Sequence, residues 1–90
     1  MTIGDRVLIS PYVIVASASH GYSGTDHLGP SVLREVKIGD GVWIAAHVTV
    51  TSGVSIGPCT LVGANSTVVK NLEGGHLVSG NPAQYVRDMV

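Results

Sequence analysis

Between Ile38 and Leu72 the sequence reads, in five consecutive groups of six and a final group of five, IGDGVW, IAAHVT, VTSGVS, IGPCTL, VGANST and VVKNL. Each group opens with a branched aliphatic residue, and the residue after it is usually small. The opening residues are Ile38, Ile44, Val50, Ile56, Val62 and Val68. A period of six fits neither the 3.6-residue period of a helix nor the simple alternation of a strand. Hexapeptide periods are typical of parallel β-helices.

The geometry of an extended strand explains this period. The fifth residue of one group and the first residue of the next lie two positions apart, so both can point to the inside. The residue between them, such as Trp43 or Thr49, then points outward. The small second residue and the polar third and fourth residues suit a corner. Three sides and three corners would close a triangular coil of about eighteen residues, which predicts an all-β parallel β-helix with coils about 4.8 Å apart.

The same register divides the chain, which we interpret as a single domain over residues 1–90. Groups that begin at Ile3, Ile9 and Val15 predict coil 1 at residues 3–20. The register then stops, and residues 21–37 are predicted to protrude as a loop because Gly, Pro, Ser and Asp are frequent there. Within this segment, residues 32–37 return to phase. They could be the return arm of the loop or a partial side.

Coils 2 and 3 are predicted at residues 38–73, which gives a solenoid of about three coils. The tail over residues 74–90 begins with a pair of glycines. Asn81-Pro82 can interrupt the chain, so we expect a short C-terminal helix from Ala83. Repeat folds need their ends covered, and the tail would help to cover the open end of the solenoid.

Length, composition and charge limit how this chain can build a core and which partners it suits. The chain has 90 residues with 12 Gly and no Phe, so Val, Ile, Leu and Ala must supply the core. A chain of this size buries only about 60–65% of its unfolded surface, and a narrow β-helix buries less, so we expect self-association. The formal net charge of −1 argues against a nucleic acid as partner. A single cysteine, Cys59, excludes an intrachain disulfide.

Residues 7–18, VLISPYVIVASA, imitate a short signal peptide. Asp5 weakens the charged region before them, Ser10-Pro11 interrupts the apolar run, and the six-residue register passes through the segment. We therefore expect no export signal and a cytoplasmic location. No apolar run of the sequence approaches the roughly 20 residues of a membrane-spanning helix, so no membrane partner is expected.

The run IGDGVWIAAHVTVTSGVSIGPCTLVGANSTVVKNL, followed by SGNPAQYVR, resembles the hexapeptide-repeat O-acetyltransferases. Within that family it is most similar to the galactoside and maltose acetyltransferases and the colanic-acid-type acetyltransferases. The segment ASASHGYSGTD also matches, because these enzymes carry Ser-His or Thr-His before a loop that leaves the solenoid. The resemblance implies a left-handed β-helix assembled as a homotrimer, with acetyl-CoA bound between neighbouring subunits. The left hand rests on the resemblance, since the general crossover rule favours the right hand.

The resemblance further implies an acetyl-CoA-dependent O-acetyltransferase that acetylates a hydroxyl of a sugar or similar small acceptor. His20 matches the general base of the family. Imidazole titrates near pH 6.5, so its neutral form is abundant at working pH. No covalent enzyme intermediate is required if both substrates are held side by side. Without the resemblance, His20 would be interpreted as an exposed histidine at the edge of the loop.

Family positions also predict the contacts with the pantetheine arm of coenzyme A. Ala46 and Ala64 match small residues that line the pantetheine groove and expose its backbone groups. Trp43 matches a tryptophan that walls the catalytic groove. Packing at a corner would explain the alanines equally well, and Trp43 could serve both the groove and a subunit interface.

The nucleotide end of coenzyme A has its own matching positions. Val69 and Lys70 match the pair beside the adenosine phosphates, where a lysine offers a point charge. Arg87 matches a tail arginine at the nucleotide, and Gln84 stands where a relative has arginine. Lys70 could instead be a solvated turn residue.

No metal site is expected. The four histidines could suggest the trimeric zinc carbonic anhydrases, which share this fold, but His27 and His47 are expected at the surface and His76 after a glycine turn. Such a site needs three imidazoles that converge across a subunit interface, and the sequence holds no closely spaced pair of histidines on one side. Cys59 stands at a corner without a neighbouring partner and is expected to be inert.

Family members are considerably longer, and most of their acceptor-binding residues would precede Met1. This leaves an alternative function, a truncated non-catalytic trimeric β-helix that at most binds CoA. It also leaves the lower edge of coil 1 without a partner, and free strand edges invite pairing. We therefore expect either end-to-end pairing of two trimers or fraying of residues 1–8, and poor use of standard galactoside or maltoside acceptors.

Overall fold

The chain folds as a left-handed parallel β-helix, as the period of six and the family resemblance predicted. The structure is a computed structural model that describes residues 1–20 and 31–89. Its strands are short and most recur every six residues. They are β1 (Thr2–Ile3), β2 (Leu8–Ile9), β3 (Ile14–Val15), β4 (Ala18–His20), β5 (Ser31–Leu33), β6 (Lys37–Ile38), β7 (Trp43–Ile44), β8 (Thr49–Val50), β9 (Ser55–Ile56), β10 (Leu61–Val62), β11 (Thr67–Val68), β12 (His76–Ser79) and β13 (Gln84–Asp88).

The strands stack into three sides. Side A consists of β1, β6 and β9, side B of β2, β7, β10 and β12, and side C of β3, β8 and β11. Equivalent residues of successive coils lie in register, so that Ile9 pairs with Ile44, and Ile44 with Val62. All these pairings are parallel. The register keeps each group of six directly above the group three earlier in the same column.

The core is a column of small aliphatic side chains at the first and fifth positions of the groups. It comprises Val36, Ile38, Val42, Ile44, Val48, Val50, Val54, Ile56, Val62, Val68, Val78 and Ala83, each at most 3% exposed. Thr60 and Ser66 also occupy fifth positions and are buried, and each has a backbone partner for its hydroxyl. Complete burial of one valine or isoleucine side chain stabilises the fold by about 1.5–3 kcal/mol. The inward orientation of these positions confirms the predicted pattern.

The corners share a backbone conformation that the sequence analysis did not predict. The fourth residue of the group is left-handed at Arg6, Tyr12, Gly41, His47, Gly53, Cys59 and Asn65, with φ between 56° and 79°. At four corners the amide of this residue donates to the carbonyl of the third residue one coil below. The N···O distances are 2.9 Å for Gly41 to Asp5, 3.3 Å for His47 to Pro11, 2.9 Å for Cys59 to Asp40 and 3.1 Å for Asn65 to Ala46. Each bond joins a corner to the equivalent corner of the neighbouring coil.

A two-stranded antiparallel ribbon, β4 and β5, leaves the solenoid after side C. Ala18 pairs with Leu33 and His20 with Ser31. The ribbon identifies β5 as a return arm, which decides between the two interpretations left open for residues 32–37. The chain rejoins the solenoid where the Arg34 amide donates to the Ser17 carbonyl at 2.9 Å. Residues 21–30 of the predicted loop lie outside the described residues.

The predicted C-terminal helix from Ala83 is wrong. Residues 84–88 form β13, which pairs antiparallel with β12. An isolated helix of this length is unstable in water, whereas β12 adds to the free edge of β10 and then offers its own edge to β13. The segment between the strands covers side C, because the Thr67 amide donates to the Gly80 carbonyl and the Ala83 amide to the Thr67 carbonyl. The tail therefore closes this end of the solenoid with backbone hydrogen bonds.

No helix long and apolar enough to cross a bilayer occurs in residues 1–20 or 31–89.

The left-handed corners predict how the fold responds to substitution at Gly41. A side chain there would meet only Cys59 Sγ, at 3.6 Å from an added Cβ, so space is available and backbone strain decides the outcome. Gly41→Val places a β-branched residue at φ 69° and should destabilise the protein by more than about 1–2 kcal/mol. Gly41→Asn is the matched control, because asparagine tolerates this conformation. Equal free energies of unfolding for the two variants in urea would contradict this account.

Candidate functional site

The corner between sides B and C carries two stacked small residues. Ala46 and Ala64 are the third residues of their groups, and the Asn65 amide donates to the Ala46 carbonyl. Ala46 is half-buried and Ala64 is exposed. With only methyl side chains at this corner, an extended ligand could approach the backbone closely. The site predicted for the pantetheine arm is therefore a continuous, accessible strip of chain.

Trp43 belongs to an apolar column on the outer face of side B. This column consists of Leu8, Trp43, Leu61 and Leu77, which occupy equivalent positions of successive coils. Leu8 is 56% exposed and Trp43 is 48% exposed. Arg87 stands opposite Leu77 in β13 and extends the column with a cation. Side B thus presents a flat apolar strip that ends in a positive charge.

Lys70 and Gln84 line one cavity at the C-terminal end of the solenoid. The cavity has a volume of about 270 Å³ and lies beneath the β12–β13 hairpin. Glu73, His76 and Tyr85 also line it. Within this cavity Lys70 supplies a cation and Glu73 an opposing carboxylate. The structure therefore brings together two of the residues predicted at the nucleotide end, and adds neighbours that the sequence analysis did not single out.

A cluster of three side chains on the hairpin borders this cavity. The Tyr85 hydroxyl donates to Asp88 Oδ1 at 3.1 Å, and His76 Nε2 lies 3.5 Å from the same oxygen. The rings of His76 and Tyr85 meet edge to face, with centroids 4.9 Å apart. Partial desolvation, and then the bond to the Asp88 carboxylate, raise the pKa of the Tyr85 hydroxyl. The sequence held no signal for this cluster, because it depends on the pairing of β12 with β13.

The remaining predicted residues stand elsewhere on the surface. Val69 is exposed and directly follows β11, at the corner between sides C and A next to Lys70. His20 ends β4 opposite Ser31, where the ribbon leads into residues 21–30. The orientation of its side chain lies outside what the structure describes, as does all of His27. His47 stacks on Tyr12 at a corner, with parallel rings 5.0 Å apart.

The predicted contacts occupy more than one face of a single protomer. Ala46 and Ala64 flank side C at one corner, and Val69 and Lys70 flank it at the other. Trp43 and Arg87 lie around the first corner, on side B. One protomer alone does not enclose a groove that contains all of them.

The described part of the chain, residues 1–20 and 31–89, holds no group of three or more His, Cys, Asp or Glu side chains placed to bind a metal ion. Cys59 is a free, exposed thiol at a corner with φ 56°.

Sequence comparisons connect this architecture to known proteins. A family pattern described as bacterial transferase hexapeptide (six repeats) matches residues 35–70. The chain is 33% identical to galactoside O-acetyltransferase of Escherichia coli K12, over 99% of this chain and 44% of that protein. It is 36% identical to the putative colanic acid biosynthesis acetyltransferase WcaF of Escherichia coli K12, over 100% of this chain and 48% of that protein. The chain thus spans about half the length of the curated relatives it matches.

Comparison with solved structures also finds acetyltransferases. A hexapeptide-repeat-containing acetyltransferase, VCA0836 of Vibrio cholerae O1 biovar eltor, complexed with acetyl coenzyme A, is similar with a TM-score of 0.90 and 36% identity. That similarity covers 99% of this chain and 49% of the other. A galactoside acetyltransferase in complex with coenzyme A is also similar, with a TM-score of 0.90, 33% identity and coverage of 99% and 45%.

The cluster of His76, Tyr85 and Asp88 predicts how the Tyr85 hydroxyl titrates at alkaline pH. Asp88→Asn removes the negative charge that opposes ionisation of Tyr85, so the pKa of Tyr85 should fall toward its ordinary value of about 10. The raised pKa means that the folded protein favours the protonated Tyr85 hydroxyl. The contribution of this hydroxyl to the stability of the fold is therefore present at neutral pH and is lost as pH rises through the raised pKa of Tyr85. NMR of the tyrosine ring carbons measures the change. Asp5→Asn, at the other end of the solenoid, is the matched control, and an unchanged Tyr85 titration in Asp88→Asn would contradict the assignment.

Proposed function

This chain belongs to the hexapeptide-repeat acetyltransferase family, and we propose that it is an acetyl-CoA-dependent O-acetyltransferase. The observation that carries the proposal is the similarity over 99% of the chain to a relative complexed with acetyl coenzyme A. The proposed acceptor is a hydroxyl of a sugar or similar small molecule, since one relative is a galactoside O-acetyltransferase and another a maltose O-acetyltransferase from Clostridium difficile. We place the reaction in the cytoplasm.

The acyl donor is assigned to the corners that flank side C. Its pantetheine arm would lie along Ala46 and Ala64, where methyl side chains leave the backbone accessible. Its phosphates would meet Lys70, whose ammonium is exposed beside the cavity that Gln84 also lines. Glu73 lines the same cavity, so phosphates would avoid its interior and stay close to the outward ammonium. Val69 and Arg87 would border the nucleotide.

A homotrimer would complete this site. Trp43 and Leu8 leave about half of their surface exposed within a column of apolar side chains, and such strips mark contact surfaces. A closed ring of identical subunits can bury side B of one protomer against another. The groove for the donor would then lie between two subunits, with Trp43 as one wall and the corners of side C as the other.

His20 is proposed as the general base of the transfer. It would take the proton of the acceptor hydroxyl as the oxygen attacks the thioester carbonyl. The new bond joins that oxygen to the acetyl carbon, the carbon–sulfur bond breaks, and the proton passes from His20 to the departing thiolate of coenzyme A. The protein's part is to hold the donor and the acceptor in one orientation, so no bond to the enzyme is needed.

A non-catalytic trimeric β-helix that binds CoA is the second candidate. The chain spans 44% and 48% of the length of two curated relatives, so the activity of those whole proteins does not carry over to it directly. Under this alternative the donor binds but no acceptor is acetylated. The two candidates share the fold and the trimer, so only a transfer assay separates them.

Lys70 provides the test of donor binding. Lys70→Glu reverses the charge proposed to meet the phosphates, and affinity for acetyl-CoA should fall at least roughly tenfold, which equals about 1.4 kcal/mol. Lys37→Glu is the matched control, because Lys37 is an exposed lysine on the outer face of side A. Calorimetric titration measures both variants. If the two variants bind acetyl-CoA with equal affinity, Lys70 is a solvated turn residue and does not contact the phosphates.

His20 provides the test of catalysis. A positioned general base contributes about 10²–10⁴ in rate, so His20→Ala should lose that factor in acetyl transfer to a panel of sugars while acetyl-CoA still binds with the wild-type affinity. The rate of acetyl transfer by the wild-type chain should fall as the pH is lowered and the imidazole of the base becomes protonated. Undiminished transfer by His20→Ala would assign the base elsewhere, and bound acetyl-CoA without any transfer by the wild type would favour the second candidate.

A further inference from the structure

The corner between sides C and A differs from the other corners because the ribbon interrupts it. At four other corners the amide of the left-handed fourth residue donates to the coil below, as from Asn65 to Ala46. At this corner Gly53 is the left-handed fourth residue, but the Ser17 carbonyl below it accepts the amide of Arg34, at 2.9 Å. The return arm of the ribbon therefore brings Arg34 into the stack of corners, next to Gly53.

Gly53 leaves room for the side chain of Arg34. A Cβ built on Gly53 would lie 3.4 Å from the Cβ of Arg34 and 3.5 Å from its Cδ, so the stem of Arg34 lies across the bare glycine. The φ of Gly53 is 79°, a conformation that residues with side chains rarely adopt. Both residues are exposed. The guanidinium at the end of this stem is therefore carried on the surface of the corner.

Lys70 occupies the same corner one coil further along. Strand β11 pairs in register with β8, so Lys70 is the equivalent of Ser52, which directly precedes Gly53. Neighbouring coils are about 4.8 Å apart, which is less than the length of an extended arginine or lysine side chain. Lys70 is exposed, as Arg34 is. The corner thus presents two neighbouring cations with a glycine between them.

The carboxylate that follows Arg34 in the sequence is engaged on side A. Glu35 accepts a hydrogen bond from the hydroxyl of Thr2, at the start of side A. This bond, and then the charge of Lys37, lower the pKa of Glu35. The negative charge of Glu35 is therefore satisfied by groups of side A, and the charge of Arg34 remains available to an anion.

We propose that Arg34 and Lys70 together form an anion site that binds a phosphate of the acyl donor, acetyl-CoA. The planar guanidinium can donate two parallel hydrogen bonds to phosphate oxygens, and the ammonium adds a point charge. Arg34 is then a specificity-determining residue for the phosphorylated donor, and Gly53 is a positioning residue that supports its stem. The inference rests on the proposed function, which assigns the donor phosphates to this corner.

Neutralisation of Arg34 tests the site. Arg34→Gln removes the charge but keeps much of the stem, and affinity for acetyl-CoA should fall at least roughly tenfold, as expected for lost charged hydrogen bonds. Arg34→Lys keeps a cation and should retain part of the affinity. Arg6→Gln is the matched control, because Arg6 is an exposed arginine at the corner between sides A and B, and it should bind like the wild type. Calorimetric titration measures all four proteins.

A second donor identifies the phosphate that is bound. Acetyl-dephospho-CoA lacks the phosphate on the ribose. If Arg34→Gln loses the same factor with this donor, the site binds the diphosphate, and if the loss disappears, it binds the ribose phosphate. Equal affinities of Arg34→Gln and Arg6→Gln for acetyl-CoA would overturn the inference and leave the proposed function intact. Absence of acetyl-CoA binding by the wild type would instead overturn the proposed function, and this inference with it.

Gly53→Asn tests the placement of Arg34. Asparagine tolerates the left-handed conformation, but its side chain would displace the Arg34 stem, so affinity for acetyl-CoA should fall as in Arg34→Gln. In the Arg34→Gln background the same substitution should have little further effect, whereas a direct clash with the donor would persist. Gly41→Asn is the matched control, because an added Cβ there meets only Cys59 Sγ, at 3.6 Å. Fully additive losses for the two substitutions would contradict the placement.

Discussion

The hydrogen bond between successive corners is the constraint on which the rest of the structure depends. It joins the amide of a left-handed fourth residue to the carbonyl of the third residue one coil below, as from Asn65 to Ala46. A non-glycine residue in this conformation costs roughly 1–2 kcal/mol, and three of the donors of this bond, His47, Cys59 and Asn65, adopt it. In return, the bond keeps the sides in strict register. The small residues Ala46 and Ala64 are thereby stacked on one another and form a continuous strip along the corner.

The sequence predicts the repeating part of this fold because each group of six carries its own information. Inward aliphatic residues at the first and fifth positions specify the sides without reference to the rest of the chain. The tail was wrongly predicted as a helix because its conformation depends on a neighbour, the free edge of β10, which no local pattern in residues 83–88 reveals. The left-handed corners were missed because arginine, tyrosine and cysteine do not signal that conformation.

In the candidate site, too, the residues on the regular repeats could be predicted, whereas features that depend on the pairing of distant segments could not. Ala46, Ala64 and Lys70 could be assigned from family positions because they lie on the regular corners. The cavity beside Lys70 could not be predicted, since its walls include Tyr85 and His76 of the hairpin. The predicted contacts are spread over sides B and C, so one protomer alone does not enclose them. Because aliphatic side chains fill the interior of the solenoid, a substrate site on this fold would be built from its outer sides and corners.

Trp43 allows the central claim, that this β-helix binds acetyl-CoA in a groove beside side B, to be tested directly, because it is the single tryptophan of the chain. Titration of the protein with acetyl-CoA should change the Trp43 fluorescence and saturate at one ligand per protomer. The change should disappear under dilution that separates the protomers. Calorimetric binding with unchanged Trp43 emission, or no binding at all, would contradict the account.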